Sequence, residues 1–156
     1  PTDRSTNIAG FGGVFSTGYE TSAAAVPTSG LAVYSGSSVG LFYGAYADEG
    51  LFDTQSLVQA TANFGQRSIS ISSFATNAYR IGTNVQESAA GLNFNGTATY
   101  LQGSASFAGT ARVSEAGWNQ GALEGRFYGP NAEELGGTFS FTSSNGKYIG
   151  AFGGRR

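Results

Sequence analysis

The sequence predicts an all-β protein, a single eight-stranded antiparallel, water-soluble β-barrel with an N-terminal extension that adds a further strand. Three observations carry this expectation. Helix formers are scarce, while 25 glycines, 12 phenylalanines and 8 tyrosines stand in 156 residues. Short runs alternate apolar and polar side chains with the period of two that turns one strand face inward. Turn clusters of Gly, Ser and Asn separate these runs at nearly regular spacing, as hairpin connections require. The glycines follow no collagen period and the aromatics are dispersed, which points to a packed core. A chain of this length fits one domain.

Residues 1–29 read as an N-terminal arm and linker, and residues 30–156 as the barrel. In the arm, Ile8, Phe11, Val14 and Phe15 fall in a glycine-rich stretch able to form one strand. Thr21 to Ser29, with Ala23-Ala24-Ala25 and Pro27, reads as a wrapped loop. The arm is expected to be tied to the barrel or to a neighbouring chain. Ala32 and Tyr34 alternate, and Ser35-Gly36-Ser37-Ser38 reads as a stop. Gly40, Phe42, Gly44 and Tyr46 form the next run, ending at Asp48-Glu49-Gly50. Val58, Ala60, Ala62 and Phe64 share a face, and Ile69 and Ile71 alternate with serines. Thr76 to Ser88 reads as a long polar connection. Leu92 to Tyr100 and Ala105 to Val113 make a hairpin turned at Gln102-Gly103-Ser104. A loop through Glu115 and Trp118 leads to the densest pattern, residues 123–141. The last hairpin turns at Asn145-Gly146, and Tyr148, Gly150 and Phe152 close the chain.

A glycine placed two residues from an aromatic on the inward face lets a Phe or Tyr lie over bare backbone, which fills a narrow eight-stranded barrel. The alternate positions are read as Ser, Thr, Asn and Gln, which suit water better than lipid tails and speak against a membrane-spanning segment. In the densest stretch, Leu123, Gly125 and Phe127 share one face of a first arm, and Leu135, Gly137, Phe139 and Phe141 one face of a second. Gly129-Pro130-Asn131 breaks the strand, and Ala132-Glu133-Glu134 is expected to close one helical turn with its carboxylates at the positive end.

Composition excludes several function classes. The formal charge of −2 gives no electrostatic footprint for nucleic acid. With no Cys and no His, disulfides, thiol nucleophiles and the commonest general base are absent, so no enzyme, cofactor or metal site is expected. Glu133 and Glu134 are adjacent turn residues that point apart, and Asp48, Glu49 and Asp53 match no calcium-loop spacing. Haem would need a tyrosinate ligand, since His, Met and Cys are lacking. The tyrosines, among them Tyr19, Tyr79 and Tyr128, are read mostly as barrel filling.

The segment Gly125-Arg126-Phe127-Tyr128-Gly129-Pro130-Asn131-Ala132-Glu133-Glu134-Leu135-Gly136-Gly137-Thr138-Phe139 resembles the signature of the β-barrel domains of transferrin-binding protein B-like bacterial surface lipoproteins. That family includes haemoglobin- and haem-capturing lipoproteins, secreted hemophilins, and factor H-binding and heparin-binding antigens. Residues 27–36 resemble its opening strand and residues 148–154 its closing one. The resemblance implies an eight-stranded barrel displayed on, or released from, a Gram-negative outer membrane, with the export signal removed. In longer relatives a handle domain precedes the barrel and often captures the ligand; here about 30 residues precede it, and neither a lipobox nor an N-terminal cysteine is present.

Two function classes follow. One is a binding module that captures a host or environmental protein through barrel-end loops, with Trp118, Asn119, Tyr79 and Arg80 as contact candidates. The other is a self-assembling surface protein, in which Ile8, Phe11, Val14 and Phe15 add a strand to another copy. Haem or iron acquisition ranks third.

Overall fold

The computed structural model describes residues 18–44, 50–83 and 85–156, and all statements below concern these. The assembly strand expected at Ile8–Phe15, and Tyr46, Asp48 and Glu49, lie outside them. Nine strands form: β1 (Leu31–Gly44), β2 (Gly50–Asn63), β3 (Ser68–Arg80), β4 (Gln86–Ser88), β5 (Phe94–Thr99), β6 (Ser106–Val113), β7 (Gly121–Tyr128), β8 (Glu134–Thr142) and β9 (Lys147–Arg155). Every pairing is antiparallel, in the order β2-β1-β9-β8-β7-β6-β5-β3, and β2 pairs with β3 to close the ring. Eight strands therefore make a barrel, and β4 adds to the upper end of β3. Among the described residues no helix is long and apolar enough to cross a membrane.

Three readings of the sequence are corrected. Ser35–Ser38 does not interrupt a strand: β1 runs 14 residues through it. Ser38 points inward and is buried, and a Cβ at Gly36 would run into the backbone of Gly153, so small residues here let β1 and β9 approach closely. Thr76–Ser88 is not one loop. β3 continues through it to Arg80 and β4 folds back on it, with a register shift between Gln55 and Leu57 and positive φ at Ala75. The ninth described strand thus comes from Gln86–Ser88. Finally, the outer wall is not uniformly polar, since Leu31, Val33, Val39, Tyr43, Leu51 and Leu57 are exposed on β1 and β2.

The lumen is filled as the glycine–aromatic alternation requires. Phe107 faces Gly125, Phe139 faces Gly150 and Phe152 faces Gly137 across adjacent strands, and in each pair a Cβ on the glycine would crowd the ring. At the lower end, Phe127 is surrounded by Tyr34, Phe64, Tyr100 and Phe107 at centroid distances of 5.3–6.3 Å. Above it, Phe94, Phe139, Phe141 and Tyr148 form a second cluster, with Phe94 and Phe139 4.7 Å apart. Across from this cluster, β1–β3 contribute hydroxyls. Ser56 and Thr76 share a hydrogen bond of 2.7 Å, and Thr76 donates to Asn93 Oδ1 at 2.7 Å. Thr54 donates to the Tyr148 hydroxyl at 3.3 Å. Buried polar groups must be paired in this way to avoid a desolvation penalty.

Residues 18–30 wrap the lower end. Thr21 N–H donates to Phe127 O, Gly129 N–H donates to Tyr19 O, and Thr21 Oγ1 donates to Gly129 O at 2.7 Å. Glu20 forms an ion pair with Arg126 and a bridge with Tyr128. The tie of the arm to the barrel is therefore intramolecular over this stretch. Tyr34, Tyr100 and Tyr148 fill the lumen, but Tyr19 is exposed, Tyr79 is half-buried and Tyr128 is covered against Gly18 beside the buried Phe127.

Candidate functional site

The β7–β8 corner is built by side chains rather than by helix. Ala132 has positive φ and Glu134 already begins β8, so no helical turn forms. Glu133 holds the turn instead: its carboxylate accepts from Asn131 N–H at 2.8 Å and from Asn131 Nδ2 at 3.0 Å. These bonds, helped by Arg156, keep its pKa below the usual carboxylate value. Glu134 pairs across the strand with Tyr128 and plays no part in this cap. The Tyr34 hydroxyl, fully buried, donates to Ala132 O at 2.7 Å, and burial pushes its pKa up to about 12. Gly129 takes positive φ, and Pro130 follows it in the turn. The motif residues Gly125, Phe127, Tyr128, Gly129, Pro130, Glu133, Gly137 and Phe139 therefore shape the barrel and its corner.

The opposite, upper end carries the contact candidates. Two separate stretches meet there. Trp118 leaves the β6–β7 loop, forms a bridge with Ser143, and lies over Phe42 with ring centroids 5.8 Å apart. Asn119 N–H donates to Thr142 O at 2.9 Å, which fixes the loop to β8 and leaves the Asn119 side chain exposed. Phe42 in turn meets Phe52 at 5.9 Å. The Arg80 guanidinium sits over the Phe52 ring, 5.9 Å from its centroid. A continuous row Trp118–Phe42–Phe52–Arg80 thus crosses the mouth of the barrel. Tyr79, beside Arg80, pairs with Asp53 and Gln86 on the strands either side.

Phe42 lines two hollows at this end. One lies beside Trp118 and the Ser143–Asn145 turn, the other beneath Glu87, Ala89 and Leu92. Around the rim, Tyr43, Leu51, Ile81 and Val85 are each about half exposed. Apolar surface flanked by the Arg80 cation and a partly exposed tryptophan is the composition of a contact surface. Sequence reasoning missed Phe52 and the exposed Ile81 and Val85. The period-two run from Phe52 through Thr54 and Ser56 to Val58 was the signal for Phe52, hidden by its two hydroxyl residues.

The profile described as the C-lobe and N-lobe beta barrels of Tf-binding protein B matches residues 26–156. The chain belongs to this family. Its barrel aligns with a transferrin-binding protein B variant from Haemophilus parasuis at 22% identity and a TM-score of 0.65, covering 87% of this chain and 28% of that one. Isotype 1 transferrin-binding protein B from serogroup B Neisseria meningitidis gives 22% identity and a TM-score of 0.61, covering 88% of this chain and 27% of the relative. The N-lobe of lactoferrin-binding protein B from Moraxella bovis gives 18% and 0.51, with coverages of 82% and 60%. At these identities the likeness to solved structures is one of fold. The chain spans less than a third of the two transferrin-binding proteins. None of the curated proteins matches it.

Proposed function

We propose that this barrel is a non-enzymatic binding module, displayed on or released from a Gram-negative outer membrane, that holds a host or environmental protein at its upper end. Trp118, Asn119, Tyr79 and Arg80 make the contact. The observation that supports this reading most strongly is the Trp118–Phe42–Phe52–Arg80 row, which joins two distant stretches of sequence at one rim with exposed apolar neighbours. Membership of a family named for binding transferrin makes transferrin the first probe. The test immobilises the chain and passes transferrin, then host or community fluid, over wild type and a Trp118→Ala, Arg80→Gln double variant. A protein retained by wild type and released by the variant is the expected result. Equal retention by both, with the variant still folded by circular dichroism, overturns the assignment of the rim.

A second reading is favoured by one observation: the arm reaches the barrel in strand-like pairing, Glu20 opposite Tyr128. In that reading Ile8, Phe11, Val14 and Phe15 add a strand to a second copy. Size-exclusion chromatography with and without residues 1–17 separates the two; a monomer in both forms removes the assembly reading.

A further inference from the structure

The outer wall of the barrel divides into two sectors of different chemistry. On β5, β6 and β7 the outward positions include Asn95, Thr97, Thr110, Arg112, Glu124 and Arg126, all exposed and all polar. On β1 and β2, by contrast, Val39, Tyr43, Leu51 and Leu57 stand outward and about half exposed, and Leu41 between them is partly exposed. The strand registers join these side chains into one surface. Tyr43 lies opposite Leu51, Leu57 lies opposite Phe74 on β3, and Leu41 lies opposite Ile149 on β9. Single exposed apolar residues need no explanation, but a contiguous group on one sector marks a surface that is covered in use.

The charges at the margins of this surface indicate what covers it. Asp53 on β2 lies opposite Leu41, and Lys147 on β9 lies opposite Tyr43. They therefore flank β1 on opposite sides, two residues apart in height. Both are exposed, and neither has an ion-pair partner among the described residues. Two identical faces pack against each other about a two-fold axis. With that axis running along β1, β2 of one copy stands over β9 of the other, and each outward β1 side chain meets its own counterpart. Asp53 of one copy then comes within about 7 Å, two residues of strand rise, of the height of Lys147 in the other. A lysine side chain spans that gap, and the symmetry repeats the contact on the second flank. An apolar centre closed by a polar rim is the anatomy of a protein–protein interface.

We propose that the β2–β1–β9 wall pairs two copies of this chain about a two-fold axis along β1. Val39 and Leu41 stand at the centre, and an Asp53–Lys147 pair closes each margin. The apolar centre supplies the attraction, and the charge pairs fix the orientation, because a copy turned the other way would set like charges together. The face is separate from the mouth of the barrel, where Trp118 and Arg80 lie over Phe42 and Phe52. It draws on no residue of 1–17.

Sedimentation velocity of the full chain, over about three decades of concentration, reads the equilibrium between monomer and dimer. Wild type is expected to pass from one to the other. Asp53→Lys and Lys147→Asp, each alone, should weaken the dimer at least about tenfold. The variant carrying both changes should return to within about threefold of wild type, and so should an equimolar mixture of the two single variants, since each restores opposite charges at both margins. Val39→Lys, which sets two cations face to face at the axis, should give a monomer that is still folded by circular dichroism. Arg112→Glu, on the polar sector, should change nothing. A monomer at every concentration overturns the proposal and leaves the apolar surface to an unlike partner. Failure of the double variant to recover, or a dimer that tolerates Val39→Lys, also overturns it. So does a dimer lost on removing residues 1–17, which would assign the contact to the arm.

Discussion

The Phe139 ring occupies the space that a Cβ on Gly150 would need, directly across the β8–β9 pairing. The glycine is therefore part of the core by omission: its missing side chain is the socket for a neighbour's ring. Gly150→Ala should destabilise the barrel by about 1–3 kcal/mol, the usual cost of overpacking. Phe139→Leu in the same chain should recover part of that loss. Urea denaturation of both single variants and the double variant measures the coupling, and additive losses would show that ring and glycine do not compete.

Tyr34 ties β1 to the β7–β8 corner through Ala132 O. Its pKa is raised to about 12 in the fold, above the ordinary value of 10.0. A raised pKa means the folded protein prefers the neutral phenol. That contribution is complete below pH 10 and is lost as the pH climbs toward 12. Tyr100 and Tyr148 shift in the same direction through burial. Alkaline unfolding should accordingly begin in this window, followed by tyrosinate absorbance. Tyr34→Phe should remove part of the pH dependence and cost about 1 kcal/mol at neutral pH for the lost hydrogen bond.

Glu133 gives the opposite dependence. Its lowered pKa means the folded corner prefers the carboxylate, which caps Asn131. The stabilisation is present above the ordinary value of 4.5 and fades as the pH falls through the lower folded value. Glu133→Gln should flatten the acid limb of a stability–pH curve. Identical acid limbs in the variant and the wild type would remove Glu133 from this role.

Thr76 donates to Asn93 and shares a bond with Ser56 inside the lumen. Thr76→Val keeps the shape but leaves both partners short of a bond. A loss of about 1–3 kcal/mol is expected, against which Ser70→Ala on the exposed face of β3 serves as a neutral control. Equal midpoints in urea would show the network to be energetically idle.

Much of this fold is legible in the chain because aromatic–glycine alternation is a pattern of period two with a steric purpose. The β7–β8 signature shows it best, with Phe127, Phe139 and Phe141 all in the lumen. Legibility fails where the lumen is polar. Ser38, Thr54, Ser56, Ser73 and Thr76 are buried, yet in sequence they look like turn or outer-face residues. That ambiguity broke β1 at Ser35–Ser38 and hid the upper part of β3. The contact candidates were visible only as separate loops, because the meeting of Trp118 with Arg80 depends on Phe42 and Phe52, which reach the mouth from two other strands.

The stretch from Gly18 to Gly30 and the terminal Arg156 both meet the lower end of the barrel, the latter by donating to Asn131 O and Glu133 O. A pull applied at Gly18 and one applied at Arg156 would therefore act on the same pole. Force would enter and leave there without passing along the barrel axis, and the Trp118 pole would stand outermost. A cylinder held by one end keeps its far face clear of the surface that bears it, at a stand-off set by the length of its strands.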